Sequence, residues 1–97
     1  MAAEVVFAPS ADGDLDSIAG YIAQDNPRAA VALIQELRAR CLSLKDFPLR
    51  GRRVSAEHRA LVASPYLIFY RVQGDTVVIV RILHGAQDVD RYFPVSE

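Results

Sequence analysis

Cys41, His58 and His84 are the only cysteine and histidine residues in the chain. One thiol closes no internal disulfide, and two distant histidines with one cysteine make no metal-ligand spacing, so no metal and no cofactor is expected. Cys41 falls among helix-face positions, where a buried structural thiol outweighs a reactive nucleophile. A glycine-rich phosphate loop and a Ser-His-Asp set are also missing. No apolar stretch reaches the ~18 residues of a membrane span. The opening MAAEVV lacks the basic start and long apolar run of a secretory signal, so a cytoplasmic location and no membrane partner are expected. A net charge of −1 does not announce direct, sequence-specific nucleic-acid binding.

What is present is unevenly distributed. Residues 1–49 carry four basic and seven acidic side chains, whereas residues 50–97 carry seven arginines against five acids. At 97 residues the chain makes a single domain, 1–97, able to bury roughly 60–65% of its unfolded surface.

The stretch 66–85, YLIFYRVQGDTVVIVRILHG, organises the rest. Two runs of β-favouring residues flank Gly74-Asp75, which predicts a hairpin with a type II′ turn. That register sets Gln73 opposite Thr76, Tyr70 opposite Ile79 and Tyr66 opposite Leu83. One face then carries Tyr66, Ile68, Tyr70, Val72, Val77, Ile79, Arg81 and Leu83. The other carries Leu67, Phe69, Arg71, Val78, Val80, Ile82 and His84. Both faces are largely apolar, so each needs a cover.

Before the hairpin, residues 4–8 read as a strand stopped by Pro9. Ser10 is placed to cap the following helix, whose Leu15, Ile18, Ala19 and Ile22 share one face. Asn26-Pro27 starts a second helix as N-cap and first helical residue. Ala30, Leu33, Ile34, Leu37, Cys41 and Leu44 continue its apolar face to Phe47-Pro48. Residues 48–57 have no periodicity and carry Arg50, Arg52 and Arg53, which predicts an exposed, mobile basic loop. It is either a solvated linker or a contact for an anion or acidic partner. Residues 58–63 form a third strand pattern. Near the end, Val89, Tyr92 and Phe93 have the spacing of one docked helical turn. The order is β-α-α-β-β-β, an α+β fold with two N-terminal helices on one face of a small antiparallel sheet.

The helices cover one side of the hairpin. On the other, Leu67, Phe69, Arg71, Val78, Val80 and Ile82 are left for a partner, because a monomer of this size rarely exposes such a patch; a homodimer interface is the plain alternative. Changing Phe69 to Asp is expected to weaken that complex more than it unfolds the domain. Arg81 is expected to form an internal ion pair with an Asp or Glu.

The strings DLDSIAGYIAQDNPRAA, LKDFPLRGRR, YLIFYRV and RILHGAQD, in that order, resemble the pattern of ParE toxins within the broader ParE/RelE group, over residues 4–90. The resemblance implies a type II toxin with a co-expressed ParD-like antitoxin that wraps it as a hetero-oligomer, and inhibition of DNA gyrase. RelE-like members instead cleave mRNA on the ribosome. Where those carry a lysine pair and an arginine around the hairpin, this chain has His58, Ala60 and Leu67. A further arginine and a tyrosine are matched by Gln87 and Phe93, with Tyr92 next to the latter. The departures imply a toxin that is not an enzyme; the alternative is a RelE-like endonuclease. His84 with Arg71, Arg59 and Tyr92 is the best substitute catalytic set, although a structural His84 is favoured. With the hairpin face assigned to the antitoxin, Arg50, Arg52, Arg53, Arg91, Tyr92 and Phe93 are the aromatic and arginine anchors left for the gyrase contact.

Overall fold

The computed structural model describes residues 3–85. Strand β1 (Glu4–Phe7) leads into helices α1 (Pro9–Ala23) and α2 (Pro27–Leu42), and a single 3₁₀ turn (Ser43–Lys45) extends α2. The two-residue β2 (Arg52–Arg53), then β3 (Arg59–Ala63), β4 (Tyr66–Gln73) and β5 (Thr76–His84) complete a sheet of order β1-β5-β4-β3-β2. Every pairing is antiparallel except β1 with β5, which is parallel. The α+β expectation therefore holds, with two additions: β1 joins the sheet beside β5, and β2 adds a short strand at the other edge. No helix among the described residues is long and apolar enough to cross a membrane.

Local chemistry explains the elements. Asn26 caps α2, its side chain accepting the Ala29 N–H at 3.1 Å, and Pro27 occupies the first turn, where a missing donor costs nothing. Ser10 does not cap α1. Pro9 opens that helix with Ala8 as the capping residue, and the Ser10 hydroxyl donates instead to the Val80 carbonyl at 2.6 Å. The hairpin turn is as expected: Gly74 has φ of +59°, and no non-glycine residue among the described ones has positive φ, which fits type II′ rather than type I′.

The core lies between the helices and one sheet face. Leu15, Leu37, Cys41 and Leu44 meet Ile68, Tyr70, Val77, Ile79 and Ile82 there, all buried. Each of the aliphatic side chains among them contributes roughly 1.5–3 kcal/mol on burial. Burial pushes the Cys41 thiol pKa up to about 12, against the nearby Arg38 charge, which lowers it. This is the structural cysteine that its position in α2 suggested.

The register departs from expectation in one place. Tyr70 pairs with Ile79 as predicted, but Phe69 pairs with Arg81, so Val80 is an extra residue in β5. Such a β-bulge reverses the face of everything beyond it. Tyr66 lies opposite His84 instead of Leu83, and Ile68 opposite Ile82 instead of Arg81. Ile82 consequently belongs to the helix-covered core, and Leu83 to the opposite side with Phe69.

Candidate functional site

The sheet face turned away from the helices is built from alternate residues of the strands. A second, smaller cluster forms there, with Ala60, Phe69 and Leu83 buried and Leu67 packed against them. Of the residues expected to meet a partner, Leu67, Phe69, Arg71 and Val78 lie on this side. Ile82 does not, and Val80 is the bulge residue held by Ser10. Phe69 is only 2% exposed, so an aspartate there disrupts packing within the domain, contrary to the expected effect on a complex alone. The accessible apolar groups on this side are Val62, 55% exposed and paired with Leu67, and Val6, 37% exposed and paired with Val78.

Arg71 follows Phe69 on the same side of β4 and pairs with Val78, which pairs in turn with Val6 of β1. Its Nε is buried and has no hydrogen-bond partner among the described residues. An unmatched guanidinium N–H is costly away from water, so Arg71 is suited to an acceptor brought by another molecule.

The basic segment is fastened down, in contrast to the mobile loop the sequence suggested. The Gly51 N–H donates to Tyr70 Oη at 2.8 Å. Arg59 Nη1 donates to the carbonyls of Gly51 at 2.8 Å and Leu49 at 3.3 Å. Arg50 lies over the Phe47 ring and reaches Ser43 Oγ at 3.2 Å. Gly51 is required at its position, because a Cβ there would sit 2.7 Å from Tyr70 Oη and 2.8 Å from the Ala60 carbonyl. Burial raises the Tyr70 pKa, although the Gly51 hydrogen bond and the Arg59 and Arg50 charges pull it the other way. Three exposed arginines, Arg50, Arg52 and Arg53, thus line a fixed ledge at the β2 edge of the sheet, with the side chains of Arg52 and Arg53 leaving opposite faces. Arg91, Tyr92, Phe93, Gln87 and the helical turn expected around Val89 lie outside the described residues.

The substitute catalytic set does not assemble. His84 lies opposite Tyr66, the two rings meeting edge to face at 5.7 Å, while Arg71 sits five residues further along β4. The bulge also puts His84 and Arg71 on opposite faces. Sequence reasoning missed one surface: an apolar groove of about 570 Å³ between the helices, lined by Ala19, Gly20, Ala23, Val31 and Ile34. Val31, outside the core-facing stripe of α2 and 58% exposed, was its visible signal.

Known proteins share this layout. A curated relative, Toxin RelE2 of Caulobacter vibrioides, is 42% identical over 86 residues, covering 88% of this chain and 98% of the relative. Among solved structures, the chromosomal ParDE toxin–antitoxin system of P. aeruginosa superposes with a TM-score of 0.72 at 23% identity, over 84% of this chain and 95% of that one. The toxin–antitoxin complex RelBE2 of Mycobacterium tuberculosis gives a TM-score of 0.60 at 26% identity, over 87% and 99%. Residues 5–89 match the family described as ParE toxin of type II toxin-antitoxin system, parDE, and the chain belongs to that family.

Proposed function

We propose that this type II toxin of the ParE/RelE superfamily acts by binding DNA gyrase, without covalent chemistry, and is neutralised by a ParD-like antitoxin. The observation that carries the reading is the Ala60, Leu67, Phe69 and Leu83 cluster. Its Ala60 and Leu67 occupy positions where, on the resemblance, RelE-like nucleases hold basic side chains. Apolar side chains there neither take a proton from a ribose hydroxyl nor stabilise a phosphate transition state, which supports a binding toxin. The antitoxin is supported by the neighbours, which are toxin–antitoxin complexes. Its proposed contacts are Val62, Leu67, Arg71 and Val78 on the sheet, together with the groove between α1 and α2. The proposed gyrase contact is the Arg50, Arg52 and Arg53 ledge, with Arg91, Tyr92 and Phe93.

The RelE name of the 42%-identical relative favours a second reading, ribosome-dependent mRNA cleavage. A gyrase supercoiling assay run beside ribosome-programmed mRNA cleavage separates the two. Gyrase inhibition with intact mRNA is the expected result; cuts in the mRNA with gyrase unaffected would replace this proposal with the second reading.

A further inference from the structure

We propose that the pocket between β2, the turn at residues 54–58 and β3 binds a phosphate-type oxyanion, held by Arg53 and Arg59. These two residues are direct cross-strand partners in the β2/β3 ladder, so their side chains leave the same face. Like charges placed directly opposite on antiparallel strands repel, and the arrangement calls for a counter-charge. Among the described residues no carboxylate is ion-paired with either arginine. The salt bridge found among them joins Arg81 to Asp14, whereas Arg53 and Arg59 bond only to neutral carbonyls. Arg53 Nη2 donates to the Ala56 carbonyl at 3.3 Å, and Arg59 Nη1 to those of Gly51 and Leu49. Those bonds aim the two guanidinium groups without neutralising them, and each keeps further N–H donors.

Between them lies a cavity of about 210 Å³, which Ser55, Glu57, His58 and Val72 also line. With roughly 30 Å³ per water molecule, it admits a tetrahedral oxyanion and ordered water. Its far wall is a preformed turn. Val54 N–H donates to the His58 carbonyl at 3.0 Å, and Ser55 Oγ accepts the N–H groups of His58 at 3.1 Å and Glu57 at 3.3 Å. Ser55 Oγ also lies 3.3 Å from His58 Nδ1. Little ordering is therefore left for a ligand to impose. A phosphate dianion matches two guanidinium forks in both charge and acceptor number, while a single carboxylate satisfies one fork. Glu57, exposed at the rim, is the one opposing charge, and it weakens anion binding without abolishing it.

The site is on the opposite side of the sheet from Leu67 and Arg71; it shares Arg53 with the proposed gyrase contact, but its test reads phosphate binding alone and so stands or falls apart from the gyrase and antitoxin assignments. Free phosphate and the phosphate of a mononucleotide offer the same chemistry. The test is thermal unfolding of the whole chain in inorganic phosphate, against sodium chloride at matched ionic strength. Phosphate is expected to raise Tm saturably and chloride is not. Arg53→Gln should weaken the phosphate response about tenfold or more, the loss of one charge-assisted hydrogen bond. Glu57→Gln should lower the half-saturating concentration, and Arg28→Gln on α2 should leave the response unchanged. Adenosine monophosphate saturating below inorganic phosphate assigns the site to nucleotides; the reverse order assigns it to the free ion. Equal Tm responses to phosphate and chloride, or a response that Arg53→Gln and Glu57→Gln both leave unaltered, overturn the proposal.

Discussion

Asp14 and Arg81, 67 residues apart in sequence, form a two-pronged ion pair, with Nε to Oδ2 and Nη2 to Oδ1 both at 2.8 Å. The same Oδ2 accepts the Ile82 N–H at 2.9 Å. The need for this arises from the sheet. Strand β1 pairs with β5 only as far as Ile79, and the bulge at Val80 breaks the ladder just beyond. The edge of β5 past that point needs polar partners, and α1 provides them through the Ser10 hydroxyl and the Asp14 carboxylate.

Removing the carboxylate should therefore cost more than an ordinary surface ion pair. Asp14→Ala is expected to lose about 2–4 kcal/mol, because it removes the two-pronged ion pair of a partly buried guanidinium together with the acceptor of the Ile82 N–H. Asp14→Asn keeps an acceptor for Ile82 and should lose about half as much. Urea denaturation of the two variants checks this, and equal losses below about 0.5 kcal/mol would show that the pair is only a surface contact.

The ledge of arginines depends on the contact between Gly51 and Tyr70. Tyr70→Phe leaves the Gly51 N–H without its acceptor, for an expected loss of about 1–3 kcal/mol. Gly51→Ala places a methyl group against Tyr70 Oη and the Ala60 carbonyl, and should cost at least as much. Gly13→Ala meets nothing within 4 Å inside α1 and should be neutral or stabilising. Melting temperatures of the three variants give the ranking, and a neutral Gly51→Ala contradicts it.

Alkaline pH should destabilise the domain through Cys41. Its folded pKa is raised from 9.0 to about 12, so the native state keeps a proton that the unfolded chain releases. Stability from this group is fully present below pH 9 and is lost as pH rises from 9 to 12, by a little over 1 kcal/mol per pH unit. Tyr70, also raised, adds loss in the same direction above pH 10. Cys41→Ala should cost about 1–2 kcal/mol at neutral pH from the cavity it leaves, and should flatten the alkaline slope. Chemical denaturation across pH 7–11 measures both; an unchanged slope in the variant rules out Cys41 as the titrating group.

The two apolar positions Phe69 and Val62 should behave in opposite ways. Phe69→Asp buries a charge and is expected to lose more than about 3 kcal/mol of stability. Val62→Asp is exposed and should leave Tm within a few degrees while weakening binding of a co-expressed antitoxin. Calorimetric titration beside thermal melts decides this, and unchanged affinity in a folded Val62→Asp would remove the sheet face from the antitoxin contact.

His84→Ala should leave growth inhibition within a few fold of the original, since a true general base is worth about 10²–10⁴ in rate. The assay is growth of cells expressing the variant. Abolished toxicity with an intact fold would argue for acid–base chemistry at that residue.

The two helices, the four longer strands, their order and much of the core were legible in the sequence. Asn26-Pro27 marks a helix start through local capping, the apolar spacing through Leu37 and Cys41 marks a buried helix face, and Gly74-Asp75 marks a turn that needs positive φ. Each of these signals acts between residues close in the chain. Which way β5 faces beyond Ile79 is set instead by contacts distant in sequence. The extra residue Val80 is accommodated because Ser10 and Asp14, on a helix far away in sequence, satisfy the backbone and guanidinium groups around it. No alternation pattern within residues 76–84 carries that information, so Ile82 and Leu83 exchange sides relative to the ideal hairpin. The basic segment follows the same logic. Residues 48–57 read as a loop because they lack periodicity, and what fixes them is a tyrosine hydroxyl and an arginine from strands β4 and β3, whose approach to Gly51 exists only once the sheet has formed.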